Sequence, residues 1–371
     1  MPVRSLSIHA DYRCRHSGHC CSTNWDVPVE ATVYRSLTEA LASGRLQTAE
    51  GADGLQPFIL GPDLPDDTAA IFERTSEHQC VFLDRSSRLC IVHRELGADA
   101  LAATCRHFPR LAVHDARGTS VALSHFCPTA ASMLFRDDVP VEIVASPPAF
   151  PPADYEGLEI TVDDLPPLLR PNVLMDLPAY GAWELHMVNR CAEVTRVPEA
   201  VLATLARDAA VLGRWRPGPT TLIEAIGQIP ADFVDADPPD SLEASLQLFA
   251  EALTAVPEEF RSEADEADLP GVFARRVRTS WPLYRAPVNR YIAAKAFASW
   301  TGYQGRGVAT IVRGIEAAVA LVRVEAARQC RDAARSLDAD LLLEAFRSAD
   351  FILNHLAVGE DLARNWSRVE G

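Results

Sequence analysis

The chain has 371 residues, a formal net charge of −16, and 48% hydrophobic and 23% charged side chains, the composition of a globular protein long enough for two cores. No stretch gathers the Lys/Arg patch that a phosphate backbone needs, which argues against nucleic acid as a partner. The opening MPVRSLSIHADYRC has no apolar run of signal-peptide length, and no later segment approaches the roughly 20 apolar residues of a membrane span, so the expectation is a cytoplasmic protein without a membrane partner.

Seven of the nine cysteines precede residue 128: Cys14, Cys20, Cys21, Cys80, Cys90, Cys105 and Cys127. Eight of the ten histidines are skewed the same way. In a reducing compartment such clustering points to metal or catalysis rather than disulfides, and soft thiolates suit iron–sulfur clusters or zinc. Cys191 and Cys330 stand apart, in segments of helical pattern, and read as core residues.

The first cysteine segment runs Tyr12-Arg13-Cys14-Arg15-His16-Ser17-Gly18-His19-Cys20-Cys21. Gly18 allows a tight bend, and two consecutive cysteines both turn inward only on an irregular backbone, the kind of loop that wraps a metal. Next, Val81 to Leu83 and Leu89 to Val92 flank the polar turn Asp84-Arg85-Ser86-Ser87 and predict a hairpin that brings Cys80 near Cys90. From His93 to Cys105, the spacing of Leu96, Ala100, Leu101 and Thr104 predicts one helical face, with Cys105 at its end. A second hairpin is predicted from Arg110 to His125 across Asp115-Ala116-Arg117-Gly118, with Cys127 following its second strand.

Prolines 147, 148, 151, 152, 166 and 167 prevent a long helix and mark residues 146–171 as a connector between a cysteine-cluster domain, 1–145, and a helical domain, 172–371. In the latter, helical spacing recurs over Pro198 to Leu212, Ser241 to Val256, Leu283 to Trp300, Val308 to Ala334 and Asp338 to Leu356. The expected fold class is therefore α+β, mainly α: a small irregular cysteine-rich N-terminal domain with short hairpins, then a helical bundle. Lys295 is the only lysine, the other 34 basic residues being arginine.

Together, the cysteine segments, including Cys80-Val81-Phe82-Leu83, Cys90-Ile91-Val92-His93, Cys105-Arg106-His107-Phe108-Pro109 and Cys127-Pro128, resemble the cysteine-cluster family of zinc- or iron-chelating proteins. Within that family, the run from Leu96 to Arg110 and the run Ser124-His125-Phe126-Cys127-Pro128-Thr129-Ala130-Ala131 look most like the flagellin lysine N-methylase branch. The likeness covers residues 9–135 and returns weakly near Asn289 to Phe297. Where the family pattern has a second cysteine in the first loop, this chain has Ser17.

The resemblance implies methyl transfer from S-adenosylmethionine to lysines of a protein substrate, flagellin or another, with an iron–sulfur cluster involved. Seven cysteines suffice for one 4Fe–4S cluster of about four thiolates, with zinc as the alternative. His107, His125, Tyr12 and Tyr291 are the candidate catalytic groups by their place in or near the resembling motifs. Arg106, Arg110 and Trp25 are candidates for cofactor binding. A conventional Gly-rich cofactor loop after a first strand is missing, and Gly302 to Gly307 reads as a turn between helices. Competing readings are a metal-stapled interaction module without catalysis and a redox or metal-handling protein.

Overall fold

A computed structural model describes residues 2–367 except 24, 53, 63, 65, 66, 154, 162, 163, 165 and 262–265. Four of the excepted residues belong to the proline-rich connector. The chain is α+β and mainly α, and it divides into two compact units, Met1–Tyr12 with Leu111–Gly371, and Arg13–Arg110. Among the described residues no helix is long and apolar enough to cross a membrane.

The larger unit is built on a five-stranded mixed sheet in the order Ile143–Ala145, Val3–Leu6, Gly118–Leu123, Arg110–Asp115, Gly157–Glu159. Val3–Leu6 runs parallel to Gly118–Leu123 and antiparallel to Ile143–Ala145. The predicted strands either side of Asp115 to Gly118 are present. Gly118 enters its strand at φ +120°, and a Cβ there would lie 2.3 Å from the Pro2 carbonyl oxygen, so only glycine lets the first strand come alongside. The prolines of the expected connector do stop helices, yet Ile143–Ala145 and Gly157–Glu159 lie in the sheet, and the unit boundaries fall instead next to Tyr12 and Arg110.

Apart from a small antiparallel pair, Leu168–Arg170 with Val173–Leu174, the regular structure in the rest of this unit is helical. Pro198–Leu212 matches its predicted span, and Glu243–Leu253, Arg285–Ala296, Val308–Asp332 and Ala339–Phe351 lie within theirs. Leu177–Cys191 is a further helix, started by the Asp176 carboxylate, which accepts the Ala179 N–H at 2.7 Å. The 25-residue helix Val308–Asp332 is buried on most of its surface because Pro198–Leu212, Glu243–Leu253 and Ala339–Phe351 all pack against it. Cys191 and Cys330 are fully buried in these helices, as expected.

The smaller unit, Arg13–Arg110, has a three-stranded antiparallel sheet, Pro28–Glu30, Thr68–Phe72 and Phe58–Ile59, and one longer helix, Ala31–Ala42. Its core is small, centred on Val29, Leu37, Ala70, Phe72, Val81 and Phe82. Two local expectations are corrected here. The Cys80 to Val92 segment keeps only an isolated antiparallel bridge, Leu83 with Cys90, because helix Ile91–Leu96 begins where the second strand was expected. The helix predicted from His93 to Cys105 breaks at Gly97, which takes φ +88°, and Cys105 sits within the separate short helix Ala103–His107.

Candidate metal centre

Five of the seven clustered cysteines become electrostatic neighbours in the smaller unit. Gly18, at φ +72°, bends the first loop so that His19–Cys21 forms a single 3₁₀ turn, and a Cβ on it would press on the Arg88 carbonyl oxygen at 3.1 Å. This turn puts the Cys20 and Cys21 sulfurs 3.8 Å apart. The Cys80 N–H donates to the Cys21 carbonyl at 2.7 Å, tying the second cysteine segment to the first. The Asp84 carboxylate accepts the Ser86 and Ser87 N–H groups, and the Ile91 N–H donates to the Phe82 carbonyl, which folds Cys90 back beside Cys80. Glu30 accepts the Ala103 N–H at 2.9 Å and anchors the short helix that carries Cys105.

Cys21, Cys80, Cys90 and Cys105 each feel the charge of at least one other in the group, and Cys20 shares a hydrogen bond with Cys21. Burial pushes the Cys80 thiol up to about 12 and raises Cys90 and Cys105 as well. Within the vicinal pair, the shared hydrogen bond lowers Cys20, while that bond and burial hold Cys21 well above the ordinary thiol range. Arg74 adds favourable charge toward Cys20, Cys80 and Cys105. It is fixed by donating through Nε and Nη2 to the Trp25 carbonyl at 2.9 and 2.6 Å.

The remaining candidates fall in different places. Cys14 is exposed. Cys127 is buried in the larger unit, where its sulfur lies 3.5 Å from the Tyr12 hydroxyl. Trp25 donates from Nε1 to the Cys20 carbonyl at 2.9 Å and stacks edge-on against Phe108, which makes it a support of the cysteine loop. Arg106 is exposed, and Arg110 donates to the Arg106 and His107 carbonyls at the end of the Cys105 helix. His107 is half-buried on that helix.

His125 and Tyr291 meet in the larger unit, around a residue with no cue in the sequence. Asp350 is completely buried. Its carboxylate accepts the His125 N–H at 2.6 Å, His125 Nδ1–H at 3.1 Å and the Tyr291 hydroxyl at 2.7 Å, and it pairs with Lys295 Nζ at 2.5 Å. Burial pushes the Asp350 carboxyl up, but the Lys295 charge and the His125 hydrogen bond outweigh it and hold the group well below the usual range. With Nδ1–H of His125 turned to Asp350, its Nε2 accepts from His9 Nε2 at 3.3 Å, and His9 Nδ1 is left without a hydrogen-bond partner among the described residues. Both ring nitrogens of His125 are thus engaged, and burial beside Asp350 raises the Tyr291 hydroxyl well above its ordinary value. In this arrangement the two residues position Asp350.

Burial keeps His9 and His125 below the usual imidazole range and brings His355, whose Nε2 lies 2.9 Å from Ser124 Oγ, down to about 4. Groups that are neutral when folded but bind protons near pH 6.5 when unfolded destabilise the fold as pH drops. Stability is therefore expected to be full above pH 6.5 and to fall between 6.5 and about 4; for His355 the complete change corresponds to roughly 3 kcal/mol. Urea midpoints at pH 8, 6 and 4.5 check this, and equal midpoints would contradict it.

Among the described residues, no three His, Cys, Asp or Glu side chains are arranged so as to hold a metal ion. The donor chemistry nevertheless fits a soft metal: five sulfurs from four stretches of chain share one neighbourhood, with no disulfide between them. The 3.8 Å between Cys20 and Cys21 is also the edge of a tetrahedron with metal–sulfur bonds of about 2.3 Å. No family model, curated protein or solved structure matches the chain.

Proposed function

We propose that this chain is a metal-dependent protein-lysine N-methyltransferase whose Arg13–Arg110 unit carries one thiolate-bound iron–sulfur centre. The metal part of this reading is carried by one observation, the gathering of Cys20, Cys21, Cys80, Cys90 and Cys105 from positions 85 residues apart. The methyl-transfer part rests on the resemblance of residues 9–135 to flagellin lysine N-methylases, and so does S-adenosylmethionine as donor. When bound, the metal supplies a Lewis-acidic or redox-active centre.

The chain's own residues have simpler tasks. Arg74 and Trp25 hold the first cysteine loop, and Arg74 offsets thiolate charge. Methyl transfer breaks the sulfonium S–CH3 bond, forms N–CH3 and releases a neutral thioether, after the lysine ammonium has given up a proton. His107, on the Cys105 helix, is the candidate base in the thiol unit.

The test is metal and acid-labile sulfide content of anaerobically purified protein, with an absorption spectrum before and after dithionite, followed by incubation with S-adenosylmethionine and flagellin. About four iron and four sulfide per chain, and methylated lysine by mass spectrometry, are expected. One zinc without sulfide or methylation would favour the metal-stapled module, a reading that the small core of this unit also supports. No metal at all would remove both.

A further inference from the structure

A second site lies in the larger unit. A cavity of about 230 Å³ opens beside Lys295, walled by Phe297, Ile311, Ile315 and Leu353, with Trp300 and Trp366 among its aromatic lining. An engineered apolar cavity of about 150 Å³ holds benzene, so this one accepts a somewhat larger molecule. Its lining is mainly apolar, as small-molecule sites are.

Ser299, Thr301 and Gln304 add polar groups to the wall, but its buried polar atoms left without a partner among the described residues are both donors. Trp366 is 6% exposed and its Nε1–H is buried without a hydrogen-bond partner, as is Asn354 Nδ2. Buried unpaired donors of this kind cost stability that a bound acceptor recovers. Lys295 adds an ammonium with three N–H groups, and its side chain remains 16% exposed. Asp350 is already served by Tyr291 and by two donors of His125, so its pair with Lys295 does not depend on all three of those N–H groups.

Three donor groups exceed the two lone pairs of a neutral carbonyl and fit within the roughly four acceptor positions of a carboxylate. We propose that this cavity binds a small amphipathic monocarboxylate, its apolar body among the Phe, Trp and Leu side chains and its carboxylate toward Lys295, Asn354 and Trp366. The chain as a whole is acidic at −16, so attraction for the anion is local to Lys295. The proposal stands independently of the thiol centre and of methyl transfer.

Octanoate is a suitable probe, with octanol and octylamine as controls, and binding is read by calorimetry and by tryptophan fluorescence. Saturable octanoate binding at least tenfold tighter than octanol, with none for octylamine, is expected. Asn354→Leu and Trp366→Phe each remove one donor without touching the Asp350 pair and are expected to weaken octanoate at least fivefold. Because Lys295 is the only lysine, its acetylation by acetic anhydride can be followed by mass spectrometry of the peptide that carries it, apart from the α-amine, and octanoate is expected to slow it severalfold. Octanol equal to octanoate, unchanged affinity in both variants, or unaltered labelling would overturn the proposal.

Discussion

Asp350→Ala is expected to lower the unfolding free energy by roughly 3–5 kcal/mol, because it leaves an ammonium, a phenol and an imidazole facing a hole where a carboxylate had been. The loss comes mainly from those deserted partners, since an ion pair taken out of water is itself of modest net value. Removing the lysine as well, in Lys295→Met with Asp350→Ala, is therefore expected to recover a good part of it. Lys295→Met alone leaves the carboxylate its three neutral donors and is expected to cost less than Asp350→Ala. Urea denaturation of the four proteins forms a double-mutant cycle, and a coupling near zero would show that the two charges do not depend on each other.

The second large effect is expected at the vicinal pair. Cys20→Ser together with Cys21→Ser is expected to reduce bound metal at least tenfold, because serine is a poor ligand for a soft ion and the pair supplies two adjacent sulfurs of the five. Cys191→Ala, a helix-core change in the other unit, is expected to leave metal content unchanged. Metal analysis of both proteins and the wild type decides the matter. Equal content in the wild type and the Cys20/Cys21 variant would place the metal elsewhere. Since burial raises Cys80, Cys90 and Cys105, each thiol that becomes a ligand must release a proton.

Much of the helical half was legible from periodicity. Pro198–Leu212 begins with a proline at its first turn and carries an unbroken apolar stripe, and Val308–Asp332 is long enough for its period to be unmistakable. Leu177–Cys191 was missed although Asp176 followed by Pro178 is a start signal. Around Cys90, a short apolar run could not distinguish a strand from the first turn of a helix. Counting periodicity through Gly97 joined two short helices, where the backbone turns to φ +88°.

The candidate site divides in the same way. Thiols announce themselves by type, so the cysteines could be named from composition, but which of them meet depends on loop geometry. Asp350 carries no such mark, and its partners Tyr291 and His125 lie 59 and 225 residues away in the chain. Arg74 and Trp25 likewise act on the cysteine loop through contacts that no local pattern encodes.

Val3–Leu6 lies inside the five-stranded sheet, while Arg13–Arg110 forms a compact unit of its own between that strand and its first partner in sequence. During synthesis the inserted unit is complete before Gly118–Leu123 exists, so it is free to collapse while the opening strand waits unpaired. The sheet then has to close a loop of more than a hundred residues, a slow step set by chain topology. Asp350 emerges later still, so the buried cluster around it is among the last parts of the larger unit to form.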